Sequence, residues 1–431
     1  MRPAPETNQP CYEILGEVER FDQRDNPNAR TYLIKGSPEY KDYYHRHPEL
    51  EEWDEKVREV LDETLRRHAA KNPINSRFGP AVFFGKKIMG YSSFVTGDID
   101  HRYVSWGGTI KKGSIREGID IDPEEMTRKI KGFGQFLGAA KVRITRLRKE
   151  WVQTFHSSYY GNEPYGKPVE LNYENVICMA FPVNPRMLGG EATVIEGGWK
   201  ESFSSLVSLI VAEFVRGCGW PARALPPENA PYLVVPTFVD AGMGEQGRHG
   251  LIITKEFGSH FIPGAVATDM PLIHDKPVDF GIQDFCTKCK ICAERCPTGA
   301  ISFGGKEVVR GVRRWNIDGD QCRLYWSKIG RACGICKNVC PWSHPSSLFH
   351  NLVREVSQSF AFMRRALIWG ERIFYPNYKP NPVPDWVKLK GLRKKSDKAG
   401  TDEGRERTSL KDRRGFIEGK LHEGDAQDQR G

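Results

Sequence analysis

The segment Cys286-Thr-Lys-Cys289-Lys-Ile-Cys292-Ala-Glu-Arg-Cys296-Pro297 decides how this sequence is interpreted. It has the C-x2-C-x2-C-x3-C-P spacing that binds 4Fe–4S cubanes, in which the fourth cysteine of one run ligates the other cluster. A second run, Cys333-Gly-Ile-Cys336-Lys-Asn-Val-Cys340-Pro341, follows a lone Cys322. The spacing therefore predicts one cluster bound by Cys286, Cys289, Cys292 and Cys340. It predicts a second cluster bound by Cys296, Cys322, Cys333 and Cys336, with Cys322 replacing the first cysteine of a regular run.

Other uses of these cysteines fit the spacing less well. A zinc ion takes about four ligands, usually in separated pairs, and three cysteines between positions 286 and 292 crowd a single ion. A disulfide framework is typical of short secreted chains. The remaining cysteines lie in apolar or mixed stretches, which indicates small buried side chains and not ligands: Cys11, Cys178 and Cys218.

The composition is that of a globular protein with two or three domains. The chain has 431 residues, of which 39% are hydrophobic and 11% aromatic. The best apolar stretch, residues 206–215, contains Glu213 and is shorter than the roughly 20 residues of a membrane span. Residues 1–11 lack the charged start and apolar stretch of an export signal. We therefore expect a cytoplasmic protein without a transmembrane segment.

The net charge of +9 is modest for a chain of this length. The basic residues are scattered along the sequence, which indicates a solvated surface and does not favour nucleic-acid binding. A basic face that attracts an acidic electron donor is the functional alternative, since opposite charges speed association.

Helical and strand patterns alternate over roughly residues 115–275, which predicts an α/β or α+β core. The cap Asp122 and Pro123 predict a helix to about Ala140. Apolar residues at helical spacing predict a second helix from Ser202 to about Val215. Strands are expected at 141–147, 176–181, 232–239 and 249–254. Helices are also expected at 53–70 and 352–374, followed by a Pro-rich exit at 376–384.

One glycine motif is a false lead. Gly242-Met-Gly-Glu-Gln-Gly247 matches the G-x-G-x-x-G pattern of dinucleotide sites. That pattern must open a helix whose N-terminus receives the pyrophosphate. Here Arg248-His249 leads into the strand-like Leu-Ile-Ile, so we predict no nucleotide site at this loop.

The chain resembles the reductive dehalogenases over almost everything except its C-terminal tail. The segments that carry the resemblance lie at 16–23, 244–254, 267–272 and 284–301. To these the C-x10-C-x2-C-x3-C-P form of the second cysteine run, followed by Trp342, adds a specific signature.

The resemblance implies an α+β fold, with an α/β-sandwich, nitroreductase-like cobalamin-binding core and a ferredoxin-like module that holds two 4Fe–4S clusters. It also implies a cobalamin between these parts, bound base-off without a protein ligand below cobalt. An Asp-x-His-x-x-Gly motif does not occur in the sequence, in agreement with that state. We expect a wrapping N-terminal region at 1–114, the core at 115–275, the ferredoxin-like module at 276–350, a C-terminal helix and exit at 351–390, and a disordered tail at 391–431.

The resemblance also assigns site residues. Family members carry a proton-donating tyrosine ahead of an A-E-F-[IV]-R stretch, and a match on Ala212-Glu-Phe-Val-Arg216 puts Glu201 at that position. A basic residue usually follows the E-F-G element, where this chain offers His260. Glu201 and His260 are therefore the predicted catalytic residues, with three tyrosines as further proton-donor candidates: Tyr159, Tyr160 and Tyr173.

Three more residues are predicted to contact the cobalamin or the substrate: Asn229, Glu245 and Arg248. For Glu245 and Arg248 the alternative is a structural role, in which an ion pair between them pins the glycine loop.

The resemblance implies a cobalamin-dependent reductive dehalogenase, which replaces a carbon-bound halogen by hydrogen with electrons passed through both clusters. The substrate would be a small organohalide, for example a haloaromatic compound. An external ferredoxin or flavodoxin would supply electrons, because the sequence shows no reductase module. Two alternatives stay open. One is a cobalamin and iron–sulfur reductase of a non-halogenated substrate, similar to epoxyqueuosine reductase. The other is an electron-transfer protein without catalysis.

Overall fold

The structure, a computed structural model, describes residues 2–71, 121–157, 163–188 and 192–377, with isolated positions at 81, 84, 88–89, 95–96, 159 and 386. The strands in these ranges are β1 (Glu13–Ile14), β2 (Lys141–Arg146), β3 (Asn175–Pro182), β4 (Ala222–Leu225), β5 (Glu245–Gln246), β6 (Ile252–Ile253), β7 (Phe261–Thr268), β8 (Glu307–Val309) and β9 (Val312–Arg314). The α-helices are α1 (Pro27–Thr31), α2 (Pro38–Arg46), α3 (Pro48–Lys71), α4 (Pro123–Phe136), α5 (Ala192–Gly217), α6 (Val234–Asp240), α7 (Ile282–Cys289), α8 (Ile291–Glu294), α9 (Gly319–Ile329), α10 (Ile335–Asn338), α11 (Leu348–Ser359) and α12 (Arg364–Phe374).

An antiparallel sheet with the strand order β2-β3-β7-β4 forms the core. Ile177 and Met179 of β3 pack with α4 and α5 on one face, while Val176 and Cys178 pack with α6 on the other. Because both faces are covered, β3 is a nearly continuous apolar run. The combination of sheet and helices confirms the predicted α+β class.

The beginning of the core follows the sequence signals closely. Asp122 accepts a hydrogen bond from the backbone N–H of Glu124 at 3.0 Å, and Pro123 is the first residue of α4. Both features stabilise a helix start, because the first turn has N–H groups without partners inside the helix. The helix ends before the predicted Ala140, since Gly138 adopts a left-handed φ of +101°. β2 and β3 lie within one residue of their predicted bounds.

The predicted strand at 232–239 is wrong, because most of it forms the helix α6. Its β-branched residues favour a strand, but that preference depends strongly on tertiary context. Pro236 falls in the first turn, where its missing N–H removes no helical hydrogen bond. Phe238 is fully buried against the sheet, and this packing stabilises the helix.

The predicted start of α5 at Ser202 is also wrong, because the helix begins at Ala192. Gly197 and Gly198 in its first half have low helix propensity, which is why the sequence indicated a later start. The buried carboxylate of Glu196 accepts a hydrogen bond from the backbone N–H of Asn184 at 2.7 Å. This contact ties the first turns of α5 to the end of β3.

N-terminal residues pack directly on the cysteine-rich region. β1 pairs with β9 in a small sheet of order β1-β9-β8, and α3 packs along α9. Arg30 of α1 forms a buried ion pair with Asp54 at 2.8 Å and a second ion pair with Asp320 of α9. The helix that carries Cys322 is therefore held by a segment almost three hundred positions earlier in the chain.

The predicted helix at 352–374 is two helices, α11 and α12, separated by the extended residue Phe360. The guanidinium of Arg364 donates to the carbonyl of Ser357 at 2.8 Å and to Asp284 at 2.7 Å. The break thus lets α12 fold back onto α7. The predicted tail at 391–431 lies outside the described ranges, and so do residues 72–114 of the predicted N-terminal region apart from a few isolated positions. None of the helices described here is long and apolar enough to cross a membrane.

Candidate functional site

Four cysteines, which we call the inner quartet, line one small cavity: Cys286, Cys289, Cys292 and Cys340. The first two lie on α7, and Lys290 then takes a left-handed φ of +58°, which turns the chain into α8 and Cys292. The rest of the wall comes from Arg248, His249, Ile253, Phe285, Lys290 and Pro341. The four cysteines therefore line the same empty space. No three His, Cys, Asp or Glu side chains in the described ranges are placed to hold a single metal ion.

The inner quartet fits an iron–sulfur cubane. Burial raises the pKa of Cys286 to about 12 and that of Cys289 to about 11. Such thiols stay protonated at neutral pH, so that metal binding must displace their protons. The backbone N–H of Arg248 donates to Sγ of Cys286 at 3.5 Å, and hydrogen bonds of this kind to sulfur tune bound clusters.

The other four cysteines, which we call the outer quartet, come from the segment after α8, from within α9 and from the region of α10, and all are half-buried: Cys296, Cys322, Cys333 and Cys336. Burial raises the pKa of Cys322 to about 12, and the nearby thiols of Cys336, Cys333 and Cys296 raise it further. The eight cysteines thus form two spatial groups. That each group binds a cluster stays a prediction.

The glycine loop leads into the hairpin β5–β6 and does not open a helix. A Cβ atom at Gly244 would collide with the carbonyl oxygen of Ile253, and one at Gly242 with that of Lys276. These glycines are therefore needed for close backbone packing.

Glu245 caps the cysteine helix α7. Its buried carboxylate accepts hydrogen bonds from the backbone N–H groups of Phe280 at 2.9 Å and Ile282 at 3.2 Å, and from Nε2 of Gln283 at 3.0 Å. Burial raises the pKa of Glu245, while these three donors oppose the rise. A carboxylate at a helix N-terminus stabilises the helix, so Glu245 holds α7 in place.

Arg248 holds the other end of the same helix and makes no ion pair with Glu245, contrary to the structural alternative above. Its Nε donates to the carbonyl of Cys286 at 3.0 Å, and Nη1 donates to the carbonyls of Ser302 at 2.7 Å and Gly304 at 2.6 Å. The guanidinium lies over the ring of Trp315, 4.3 Å from its centroid. The contacts of Arg248, like those of Glu245, are with the cysteine module.

A cavity of about 440 Å³, which we call the junction cavity, lies between the sheet core and the cysteine module. Residues from both parts line it, together with the end of α12: Pro185, Arg186, His260, Ile291, Asn338, Val339, Ser343, His344 and Tyr375. Nε2 of His260 is hydrogen-bonded to Oδ1 of Asn338 at 2.9 Å. This cavity is therefore the place where a bound group could contact both parts.

His260 has an unused hydrogen-bonding atom beside this cavity. Its Nδ1 is buried without a hydrogen-bond partner in the described structure. The backbone of Ser343 lies close enough to the imidazole to oppose the lowering of the His260 pKa. Burial, with a smaller effect of Lys337, lowers the pKa of His260 to about 4. An orphaned, neutral imidazole fits a bound ligand that supplies a polar hydrogen.

Glu201 does not line the junction cavity, but it lies near the same short helix as His260. It is half-buried on α5, close enough to Lys337 of α10 that its charge opposes the lowering of the Lys337 pKa by burial. The structure therefore brings the two predicted catalytic residues to neighbouring positions of α10, between Cys336 and Cys340.

The other predicted residues lie elsewhere. Asn229 is buried, accepts a hydrogen bond from Arg223 at 2.7 Å, and does not line the junction cavity. Tyr173 packs in the apolar cluster on the α6 face of the sheet. Tyr159 stacks on Tyr32, with ring centroids 4.7 Å apart, and Tyr160 lies outside the described residues.

Sequence reasoning missed Lys337, Asn338 and Ser343. Asn338 and Ser343 line the junction cavity, and the charge of Lys337 acts on His260. The signal was present: two of them are spacer positions inside the run Cys336-Lys-Asn-Val-Cys340. Residues between the cysteines of such a run are easily disregarded once the ligands have been assigned. Here the run forms a helical turn whose ligands and spacers face different cavities.

Comparison with known proteins identifies the relatives of this chain. Residues 285–343 match the model of the 4Fe-4S dicluster domain, which confirms the predicted iron–sulfur module. The tetrachloroethene reductive dehalogenase of Sulfurospirillum multivorans is 28% identical over 362 residues, covering 73% of this chain and 71% of that protein. A tetrachloroethene reductive dehalogenase of Desulfitobacterium hafniense is 34% identical over 332 residues, covering 72% and 56%. The epoxyqueuosine reductase of Aliivibrio fischeri is more distant, at 28% over 44% of this chain.

Solved structures share the fold. A reductive dehalogenase whose structure suggests a mechanism for B12-dependent dehalogenation superposes with a TM-score of 0.66 at 22% identity, covering 86% of this chain and 49% of that one. The catabolic reductive dehalogenase NpRdhA gives a TM-score of 0.65, with 86% and 48% covered. This chain spans about half the length of both solved chains. With these relatives over most of its length and this fold, the chain belongs to the reductive dehalogenase family, as predicted.

Proposed function

We propose that this chain catalyses the reductive dehalogenation of a small organohalide, R–X + 2e⁻ + H⁺ → R–H + X⁻. One observation carries the proposal: the junction cavity and the inner quartet share a wall. Ile291 and Val339 line the junction cavity, and their chain neighbours Cys292 and Cys340 line the cavity of the inner quartet. An electron that leaves a cluster in the inner quartet therefore crosses a wall one residue thick.

Electrons would enter through the outer quartet, because its cysteines are half-exposed whereas most of the inner quartet is buried. Each quartet would hold one 4Fe–4S cluster and pass one electron at a time. Lys328 is exposed on α9, and Arg331 is close enough to Cys333 to oppose the rise of its pKa. Positive charge beside the entry point suits an acidic carrier, so an external ferredoxin or flavodoxin is the proposed donor.

The junction cavity is the proposed site of a base-off cobalamin. A corrinoid there would supply the reducing metal centre that cleaves the carbon–halogen bond. His260, Asn338 and Ser343 would border it and hold its polar edge. The relatives with B12-dependent chemistry support this cofactor for the family.

The polar groups at the junction indicate a division of labour between the two predicted catalytic residues. His260 is neutral at pH 7, since its pKa is about 4. When Nε2–H donates to Asn338, Nδ1 is left as an acceptor, which suits a hydroxyl group on a haloaromatic substrate. If Nδ1 of His260 accepts a hydrogen bond from the substrate, the same atom does not donate the proton that the reaction consumes. Glu201 is then the proposed proton donor.

The test is anaerobic production with cobalamin, followed by iron and corrinoid analysis and EPR spectroscopy. Halide release from tetrachloroethene and from bromophenols is then measured with titanium(III) citrate as the reductant. We expect two clusters, one retained corrinoid and halide release with at least one substrate class. A protein with complete clusters that retains no corrinoid would contradict the proposal and favour simple electron transfer. Retained corrinoid without halide release would favour a non-halogenated substrate.

Two variants test the assigned residues. His260→Ala is expected to raise KM for bromophenols more than it lowers kcat, whereas Glu201→Gln lowers kcat. The exposed His45 on α2 provides the control His45→Ala, for which wild-type kinetics are expected. Unchanged kinetics in both site variants would remove these residues from the mechanism.

A further inference from the structure

Glu245 and Arg248 are two buried residues of opposite charge that contact the cysteine helix α7. Glu245 is the first residue of β5, and Arg248 follows the end of that strand. We propose that they set the reduction potential of the inner cluster, Arg248 raising it and Glu245 lowering it. The inference rests on the proposed function in one respect, that the inner quartet binds a 4Fe–4S cluster. It gives both residues a role other than contact with cobalamin or substrate.

Arg248 is a buried cation whose charge has no carboxylate partner in the described structure. Its side chain is 2% exposed, and its hydrogen bonds go to three backbone carbonyls. A buried charge without a counter-charge is costly. Four thiolates around a 4Fe–4S core carry a net charge of about −2 when oxidised and about −3 when reduced. The cluster is therefore the counter-charge of Arg248.

Glu245 is an anion at nearly the same depth, with 1% exposure. Its carboxylate accepts all three of these hydrogen bonds and donates none of them, as expected for the ionised form. Its contact with the N–H of Ile282 is one helical turn from Cys286 along α7. Arg248 reaches the same helix at Cys286 itself, to whose carbonyl its Nε donates at 3.0 Å.

The sign of each effect follows from the charge that the cluster gains. Reduction adds one negative charge inside a poorly screened, buried site. A fixed cation favours the reduced form and raises the potential, and a fixed anion does the opposite. The hydrogen bond to Sγ of Cys286 comes from the backbone N–H of Arg248, and a side-chain substitution leaves that donor in the chain. The charge can thus be changed while the donor to sulfur is kept.

The experiment measures the two cluster potentials by EPR-monitored redox titration of the reconstituted full-length protein. Arg248→Met is expected to lower the inner potential and Glu245→Gln to raise it, each changing the reduction equilibrium by about tenfold, or ~59 mV for one electron. Arg248→Lys keeps the charge and is expected to restore the wild-type value. The redox couple that disappears in Cys322→Ala belongs to the outer cluster. The potential of that cluster should stay unchanged in the Arg248 and Glu245 variants.

A matched control lies on the same helix. Asp284 is a partly exposed carboxylate, paired with Lys288 at 2.5 Å and Arg364 at 2.7 Å, so Asp284→Asn removes a neutralised and screened charge. Its shift should be clearly smaller than that of Glu245→Gln. Equal shifts in both variants, or shifts of the same sign in Glu245→Gln and Arg248→Met, would overturn the inference and leave a structural role.

Two further outcomes keep the inference separate from the function. If the wild-type protein holds no inner cluster, the proposed function fails. If both clusters are present and the inner potential stays within the error of the wild type in Glu245→Gln, the inference alone fails. Glu245→Gln carries the test if Arg248→Met does not assemble, because it preserves size and an acceptor oxygen.

Discussion

The inner and outer quartets use the same residue type in different settings. Three inner cysteines lie within seven consecutive positions on α7 and α8, and three of the four are buried. All four outer cysteines are half-exposed, and Cys322 comes from the separate helix α9. Three of the four inner cysteines are thus placed by local chain geometry, and Cys340 completes the site from a later segment of the chain. The outer site depends on how a distant segment is packed.

We propose that this difference separates electron delivery from electron entry. A cluster in the inner quartet would be shielded from solvent beside the junction cavity. A half-exposed cluster can approach an external carrier at its surface. The two sites should therefore respond differently to the loss of one ligand, to the loss of packing and to acid.

Loss of one ligand should produce the largest effect. Cys340→Ala removes the fourth ligand of the inner cluster, and we expect iron content to fall by about half and halide release to disappear with every reductant. Cys322→Ala should lower the iron content by a similar amount. A small reductant such as titanium(III) citrate can still reach the buried part, so halide release should persist with it and disappear with ferredoxin.

The two reductants make this prediction specific. Cys178→Ala, a change of a buried core cysteine outside both quartets, is the control and should keep full iron content. If Cys322→Ala and Cys340→Ala behave alike with titanium(III) citrate, the order of the two clusters proposed here is wrong.

Loss of packing should affect the outer site first. Arg30→Met leaves Asp54 buried with 0% side-chain exposure and without its cation. Breaking a buried pair in this way costs roughly 3–5 kcal/mol. We expect a lower thermal midpoint and, because Arg30 also pairs with Asp320 on α9, loss of the outer cluster signal before the inner one on heating.

Arg46→Met is the matched control for that variant. Its ion pair with Asp42, at 2.9 Å, is exposed at 33% and 50%. Exposed pairs contribute about 0–1 kcal/mol, so the midpoint should change little. Simultaneous loss of both cluster signals in Arg30→Met would show that the N-terminal region does not act on the outer quartet specifically.

The same contrast explains how much the sequence could predict. The spacing of Cys286, Cys289 and Cys292 is local, and this fixed spacing on two short helices places three of the four cysteines around one cavity. The start of α4 was predicted for the same reason, since Asp122 and Pro123 act within one turn. In both cases the determining contacts are between residues close in sequence.

The misassigned elements depend on distant contacts. α6 was predicted as a strand because Val234 and Val235 favour strands locally, while burial of Phe238 against the sheet decides the helix. Glu245 and Arg248 were placed in the cobalamin or substrate pocket by resemblance. Their partners, Phe280 and Ser302 among them, lie 35 and 54 positions away and could not be recognised from local patterns.

Acid should have the smallest of these effects and should act near the inner site. The pKa of His260 is lowered from its usual 6.5 to about 4 by burial. Between these values the unfolded chain binds a proton that the folded protein does not, so stability is lost as pH falls from 6.5 towards 4. This one residue accounts for about 2 kcal/mol at pH 5. Above pH 6.5 it contributes no pH dependence.

His260→Gln removes that titration while an amide can still bond Asn338. Its thermal midpoint should therefore fall less than that of the wild type when pH is lowered from 7 to 5. His45 is exposed, so the thermal midpoint of His45→Gln should fall as much as that of the wild type over the same pH change. Parallel losses in wild type and His260→Gln would mean that the imidazole takes up a proton in the folded protein as readily as in the unfolded chain. A protonated imidazole could no longer accept a hydrogen bond through Nδ1 at the junction cavity, and the division of roles between His260 and Glu201 would have to be reversed.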